Sequence, residues 1–129
     1  MRVLLFGTFD HLHPGHKFVI REAMKRGTVS VVVARDRNVE RIKGRPSLQR
    51  EDERVQAIKE AFPNVDVLPG DSENFLAPVR SITPDLILLG YDQTLPPDVT
   101  EADFSCPVER LPAYRAGIFK SSLRRKAGK

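Results

Sequence analysis

Two apolar runs near the start of the chain, Arg2-Val3-Leu4-Leu5-Phe6 and Thr28–Ala34, bracket a segment with helical spacing. The second run, Thr-Val-Ser-Val-Val-Val-Ala, is dense in β-branched residues, whose stiff side chains pack well on a pleated surface. It predicts a strand. The first run is apolar at consecutive positions rather than at alternate ones, which predicts a strand covered on both faces. Between them, Pro14-Gly15 opens a stretch in which Phe18, Val19, Ala23 and Met24 recur at helical spacing, and Gly27 after Lys25-Arg26 signals its end. Strand, helix and strand in so short a span form a parallel crossover unit, and this commits the chain to an α/β fold.

The remainder continues the alternation. Arg35–Pro46 is polar and basic and reads as a loop with helical character at its start. Ser47 is a candidate cap for a helix to Phe62, with Val55, Ile58, Ala61 and Phe62 on one face. Val65–Leu68 reads as a short strand, and Asn74–Ile82 as a helix with Asp71 and Ser72 as candidate caps. Asp85–Leu89 is a further central strand, stopped by Gly90. Pro96-Pro97 begins an irregular region with one helical turn near residues 98–104; Val108–Leu111 reads as an edge strand and Ser121–Lys126 as a last helix. The expected architecture is one Rossmann-like domain over residues 1–129, with a mostly parallel five-stranded sheet and helices on both faces.

Composition narrows the class of function. The chain is 40% hydrophobic and 29% charged, as soluble domains are, and no apolar run approaches the ~20 residues that span a bilayer. The start has a single leading charge and no cleavage-site pattern, so a signal peptide is not expected and the location is expected to be cytoplasmic. One cysteine, Cys106, rules out an internal disulfide. The net charge of +4 is unevenly spread. Residues 110–129 carry seven basic side chains and no acidic one, which leaves 14 basic against 17 acidic residues in the rest of the chain. Such a basic segment fits a solvated tail, and nucleic acid is not the expected partner.

All three histidines fall in the segment Gly7-Thr8-Phe9-Asp10-His11-Leu12-His13-Pro14-Gly15-His16. In a parallel sheet, ligands bind beyond the carboxyl ends of the strands, where loops lead into helix N-termini, and this segment follows the first strand. Its small residues let backbone N–H groups approach an anion, with the positive end of the helix aimed at the same place. His13 and His16 flank that end, and with N–H outward they can donate to a polyphosphate. Gly15 leaves room for a nucleotide. On their own, two such histidines are also compatible with ordinary surface residues. His-x-x-His spacing can hold a metal, although Pro14-Gly15 argues against a regular helix between the two and no third ligand is obvious beyond His11 or Asp10.

The run Gly-Thr-Phe-Asp-x-Leu-His-x-Gly-His directly after an N-terminal strand closely resembles the cytidylyltransferase-like family of nucleotidyltransferases. The resemblance implies an α/β fold and transfer of a nucleotidyl group from a nucleoside triphosphate to a phosphate-bearing acceptor, with pyrophosphate released. It gives His13 and His16 contact with the triphosphate in the transition state, and Lys43 a place on the phosphates. Gly7, Thr8, Phe9, Asp10 and Gly15 would line the nucleotide pocket, with Arg54 from the helix after the basic loop. Gly90, Asp92 and Gln93 sit where the family reads base and ribose. Lys120, Ser121 and Ser122 resemble its Ser/Thr-rich turn over the β- and γ-phosphates, although this sequence departs there from the family's Arg-Thr-Ser-Thr form. The family implies Mg²⁺ bridging the phosphates with few protein ligands, no metal site built from protein side chains alone, and a tendency to form homodimers.

Two segments resemble the archaeal-type FAD synthetases within that family. One is Ala34-Arg35-Asp36-x-x-Val39-Glu40-x-Ile42-Lys43-Gly44-Arg45, and the other is Leu89-Gly90-Tyr91-Asp92-Gln93. Glycerol-3-phosphate cytidylyltransferases show Gly-Asp-Asp-Trp at the second, and this chain has no tryptophan. The expectation is therefore ATP and FMN. CTP with a polyol phosphate is the alternative enzyme, and a non-catalytic nucleotide-binding module is the alternative of another class.

Overall fold

The computed structural model describes residues 1–71, 73–91, 93, 95 and 99–112. Five strands, β1 (Arg2–Gly7), β2 (Thr28–Val33), β3 (Asp66–Pro69), β4 (Leu86–Leu89) and β5 (Val108–Arg110), form one sheet in the order β3-β2-β1-β4-β5. Every pairing is parallel. Helices α1 (Pro14–Met24), α2 (Asp36–Lys43), α3 (Glu51–Ala61) and α4 (Leu76–Ile82) occupy the connections. The direction of strand succession reverses between β1 and β4, which makes that junction the ligand-binding switch point of a doubly wound sheet.

The consecutive apolar residues of β1 divide between two cores, as strand pleating requires. Val3 and Leu5 join Val29, Val31 and Leu88 in one layer, under Ile20 and Ala23 of α1 and Ile58 of α3. Leu4 and Phe6 join Val32, Ile87 and Leu89 in the other, under Val79 of α4 and Phe104. Helices thus cover both faces. The buried stripe of α1 is Ile20 and Ala23, while Met24 is exposed, and Ala61 of α3 is likewise outside the core.

Several local expectations change. Arg35–Pro46 is more helical than its polarity suggests: α2 fills Asp36–Lys43, buries Val39, and ends on Gly44 in the left-handed region (φ 76°), where a residue without Cβ is unstrained. Ser47 does not cap α3. Its hydroxyl donates to the Gln49 carbonyl, and Arg50 is the cap, its N–H received by the Glu53 carboxylate at 2.9 Å. Gly27 is not a left-handed helix stop either. A Cβ there would lie 2.1 Å from the Met1 carbonyl oxygen, so glycine is needed for the close approach that lets the Thr28 N–H reach that oxygen at 2.9 Å. Asp71 caps the turn before α4, accepting from the N–H groups of Glu73 and Asn74. The turn expected near residues 98–104 is a 3₁₀ turn at Glu101–Asp103. The helix expected at Ser121–Lys126 and the candidate cap Ser72 lie outside the described residues.

Candidate active site

α1 begins inside the histidine motif. Pro14 takes the first helical position, where its missing N–H costs nothing and its fixed φ suits the helix. The Pro-Gly pair is therefore compatible with a regular helix, contrary to the expectation from sequence. His13 is the N-cap. Its Nδ1 accepts from the N–H groups of Gly15 (3.1 Å) and His16 (3.4 Å), while His16 Nδ1 accepts from the His13 N–H (3.3 Å). The two imidazoles close a reciprocal capping box that a Ser and a Glu ordinarily form. They stack with centroids 3.6 Å apart and planes 20° from parallel. With each Nδ1 used as an acceptor, each neutral ring carries its proton on Nε2, on the edge turned from the backbone.

Burial, and then the charges of His13 and Lys43, push the His16 imidazole down to about 4. His16 is thus neutral at physiological pH, a fixed N–H donor. The Phe9 ring packs edge-on against it at 5.3 Å. The room left by Gly15 serves the histidine pair: a Cβ there would stand 3.0 Å from His13 Cε1 and 3.2 Å from its Nδ1.

The loop between β1 and α1 is strained and firmly held. Phe9 (φ 53°) and His11 (φ 49°) both occupy the left-handed region, at roughly 1–3 kcal/mol each for residues with a Cβ. Three contacts, two from the segment before α3 and one from its first turn, hold them there. The Asp10 carboxylate accepts from the N–H groups of Leu48 (2.7 Å) and Gln49 (2.9 Å), and the Gln49 side chain accepts from the His11 N–H (3.0 Å). Partial burial raises the Asp10 pKa, but those two N–H groups together with the charges of His11 and Arg54 lower it more, so it stays below the usual carboxylate range. The third contact is Arg54, which has no solvent exposure. Its guanidinium donates to the carbonyls of Thr8 (2.8 Å) and Gln49 (3.2 Å) and to Asp36 Oδ1 (2.7 Å). Arg54 therefore lies behind the loop and does not line the cleft, in contrast to its expected place in the nucleotide pocket. A buried charge needs this full set of partners.

On the β4 side the sheet opens. β1 runs beside β2 through Gly7, but its ladder with β4 registers only Val3 with Leu86 and Leu4 with Ile87. The Gln93 side chain spans the gap, donating to the Phe6 carbonyl and accepting from the Gly90 N–H (3.0 Å). Arg110 Nη1 donates to the carbonyls of Gly90 (2.9 Å), Tyr91 (3.3 Å) and Gln93 (2.6 Å). In the sequence Arg110 falls both in the expected edge strand Val108–Leu111 and at the start of the basic C-terminal segment, with no site role. Its position in β5, level with Leu89, is what aims it at the loop. Tyr91, from the run expected to read base and ribose, is 56% exposed on the cleft wall.

These parts surround one cleft of about 700 Å³, a size typical of small-molecule sites. Gly7, Thr8, Phe9, Asp10, His13, Gly15 and His16 line it, with Lys43 from the end of α2 and Gly90 and Gln93 opposite. Among the described residues, Arg41, Lys43 and Arg45 on this wall have no acidic partner within salt-bridge distance. Asn38, also on the wall, donates to the Asp71 carbonyl while its Oδ1 is closed from solvent and has no hydrogen-bond partner among the described residues. No group of three or more His, Cys, Asp and Glu among the described residues is placed to hold a metal ion. No helix among them is long and apolar enough to cross a membrane. Asp92, Lys120, Ser121 and Ser122 lie outside the described residues.

The sequence pattern of the cytidylyltransferase-like family matches residues 4–109, from β1 into β5. The chain belongs to the cytidylyltransferase-like family. A FAD synthase of Methanosphaerula palustris is 40% identical to it over 129 residues, covering 95% of this chain and 83% of that protein. A FAD synthase of Methanoculleus marisnigri is 38% identical over 128 residues, covering 95% and 85%. Among solved structures, a lipopolysaccharide core biosynthesis protein from Thermoplasma volcanium matches with a TM-score of 0.76 at 30% identity, covering 89% of this chain and 98% of that one. This cytidylyltransferase-like chain is thus a nucleotidyltransferase with its histidine pair at the switch point of the sheet.

Proposed function

We propose that the chain is an FMN adenylyltransferase, moving the adenylyl group of ATP to the phosphate of FMN and releasing pyrophosphate. The observation that carries the chemistry is the stacked His13–His16 pair at the start of α1, with both Nδ1 atoms held by backbone N–H groups. The FAD synthase relatives, matched over nearly the whole chain, support the choice of substrates.

The reaction needs no protein nucleophile. An oxygen of the FMN phosphate attacks the α-phosphorus of ATP in line, forming the new P–O bond. The bond from that phosphorus to the α,β-bridging oxygen breaks, and pyrophosphate leaves with the electron pair. Negative charge gathers on the phosphoryl oxygens and the leaving group, so catalysis is chiefly positioning and electrostatic stabilisation. The Nε2–H groups of His13 and His16 would donate to those oxygens, and Lys43 would balance the pyrophosphate charge. Gly90, Asp92 and Gln93 would hold base and ribose, and Lys120, Ser121 and Ser122 would close over the β- and γ-phosphates. Mg²⁺ would arrive with the nucleotide, held mainly by phosphate oxygens, since the Asp10 carboxylate is committed to Leu48 and Gln49. Its chemistry is charge neutralisation of the triphosphate. The ATP-dependent reaction belongs in the cytoplasm.

The test is pyrophosphate release with ATP and CTP in turn, each against FMN and glycerol 3-phosphate, with and without Mg²⁺. ATP with FMN should be the active pair, and chelation of Mg²⁺ should stop it. Turnover only with CTP and the polyol phosphate would replace this reading by the cytidylyl one. Nucleotide binding without pyrophosphate release from any pair would leave a binding module.

A further inference from the structure

The cleft has a second wall that phosphate chemistry does not use. On the α4 side of the sheet it is lined by Phe6, Val32, Phe75, Pro78 and Leu95, all apolar. Phe6 and Val32 are nearly buried members of the α4-side core, and Phe75 and Leu95 are partly buried against that core. The Phe75 ring stands edge-on to Phe6, centroids 4.8 Å apart and planes at 87°. Polar side chains border this wall: Asn38 from α2, and Asp71 and Glu73 from the turn before α4. Asn38 donates to the Asp71 carbonyl at 3.0 Å, and its Oδ1, closed from solvent, has no hydrogen-bond partner among the described residues.

A short polyol phosphate presents hydroxyls all along its length, and the Phe6, Val32, Phe75, Pro78 and Leu95 side chains of this wall offer them nothing to pair with. A flat aromatic heterocycle suits it in both respects. Its faces bury apolar area against phenylalanine and proline, and an edge bearing an N–H between carbonyls would pair with a carboxamide. Asn38 has an oxygen in need of a donor, which a turn of the carboxamide toward the cleft would present to the ligand, and its Nδ2 keeps a second N–H for a carbonyl. We infer that this α4-side wall is the acceptor's ring site, where Phe75 packs on the heterocycle and Asn38 reads its imide edge. The assignment rests on the FMN reading above and deepens it: the basic and histidine side of the cleft takes phosphates, and the α4 side selects the acceptor by its ring.

The test separates ring recognition from turnover. FMN is titrated into the protein and followed by quenching of flavin fluorescence, with lumiflavin, which has the ring but no ribityl phosphate, as competitor. Lumiflavin should displace FMN, and glycerol 3-phosphate should not. Phe75→Ala should weaken FMN binding by about tenfold or more while the KM for ATP is little changed, and Phe75→Tyr should restore it. Asn38→Leu should weaken FMN binding more than that of an N3-methylated flavin, which lacks the imide donor. The lumiflavin competition needs only the wild-type chain, so it stands if a variant fails to fold. A wild type that turns over ATP and FMN, yet shows no lumiflavin competition and no loss in Phe75→Ala, would overturn this site and leave the reaction standing. A wild type that neither binds FMN nor releases pyrophosphate with it would overturn both.

Discussion

Arg54 donates to the Thr8 carbonyl at 2.8 Å from the first turn of α3, across 46 positions of sequence, and fastens the loop that carries the histidines. The same guanidinium reaches Asp36 at the start of α2, the helix that ends at Lys43. One buried side chain therefore fixes the relative placement of the histidine loop and the lysine helix. Arg54→Ala should lower stability by about 3 kcal/mol in urea unfolding, because it empties a charged, fully buried site. Arg54→Lys should recover little of this, since an ammonium cannot reproduce three directed contacts from a planar fork. A stability within experimental error of wild type would remove the strut from the account.

His13 combines two roles that substitution can separate. His13→Ala should lose the helix cap, at about 1 kcal/mol, together with the Nε2–H donor. His13→Asn keeps a capping side chain and should restore the melting temperature, yet it should stay inactive. His16→Ala should reduce turnover by roughly 10²–10³ with the fold intact. If His13→Asn regains activity along with stability, the imidazole serves as a cap alone.

The His16 value of about 4, below the ordinary 6.5, fixes a pH dependence. The native state favours the neutral ring, so the unfolded chain binds more protons between those two values. The stability tied to this group is complete above pH 6.5 and is lost as pH falls towards 4. His16 should also remain a neutral donor across that window, so protonation of His16 should not produce an acid limb in kcat near pH 6.5. An NMR titration of the His16 ring protons checks both statements, and a midpoint near 6.5 would overturn them.

Gly15→Ala should set stability against activity. Alanine favours a helix over glycine by roughly 1 kcal/mol, but its Cβ would crowd the His13 ring at 3.0 Å. The ring must turn and its Nδ1 contacts must lengthen. Thermal stability should be nearly unchanged while kcat falls; equal kcat in the two proteins would show that the ring's position does not matter.

Arg110 holds three carbonyls of the loop after β4. Arg110→Ala should raise the nucleotide KM by roughly tenfold, about the effect of one charge-assisted hydrogen bond, with a smaller effect on kcat. Steady-state kinetics at varied ATP and saturating acceptor give the split. An unchanged KM would mean that the loop holds its shape without this arginine.

The parts legible in the sequence are those whose signal is local. The β-branched run at Thr28–Val33 and the apolar run of β1 define strands without help, and Pro14 marks the start of α1. α2 was obscure because it is short and mostly charged, with Val39 and Ile42 its only apolar positions in the sequence, so the apolar period is a single step. The Asp10–Gln49 and Arg54–Thr8 contacts join distant positions by tertiary geometry alone. Arg54 did leave a trace: it stands four residues before Ile58 and eight before Phe62, on the buried face of α3, where a charge calls for an explanation. Arg110 left none, because nothing local distinguishes it from the basic residues that follow.

The strand order carries a consequence for how the enzyme comes into being. β1 pairs with β2 across a gap of 26 positions but with β4 across 83, and loop closure over the longer span is the slower step. A nascent chain that has emerged through β3 already holds the complete histidine motif, the Arg54 strut and Lys43, yet only half of a cleft. Competence for nucleotide arrives with the docking of β4, when Gln93 bridges the two strands. A bound nucleotide would therefore stabilise most the late-arriving half of the sheet and act as a latch on the last stage of assembly.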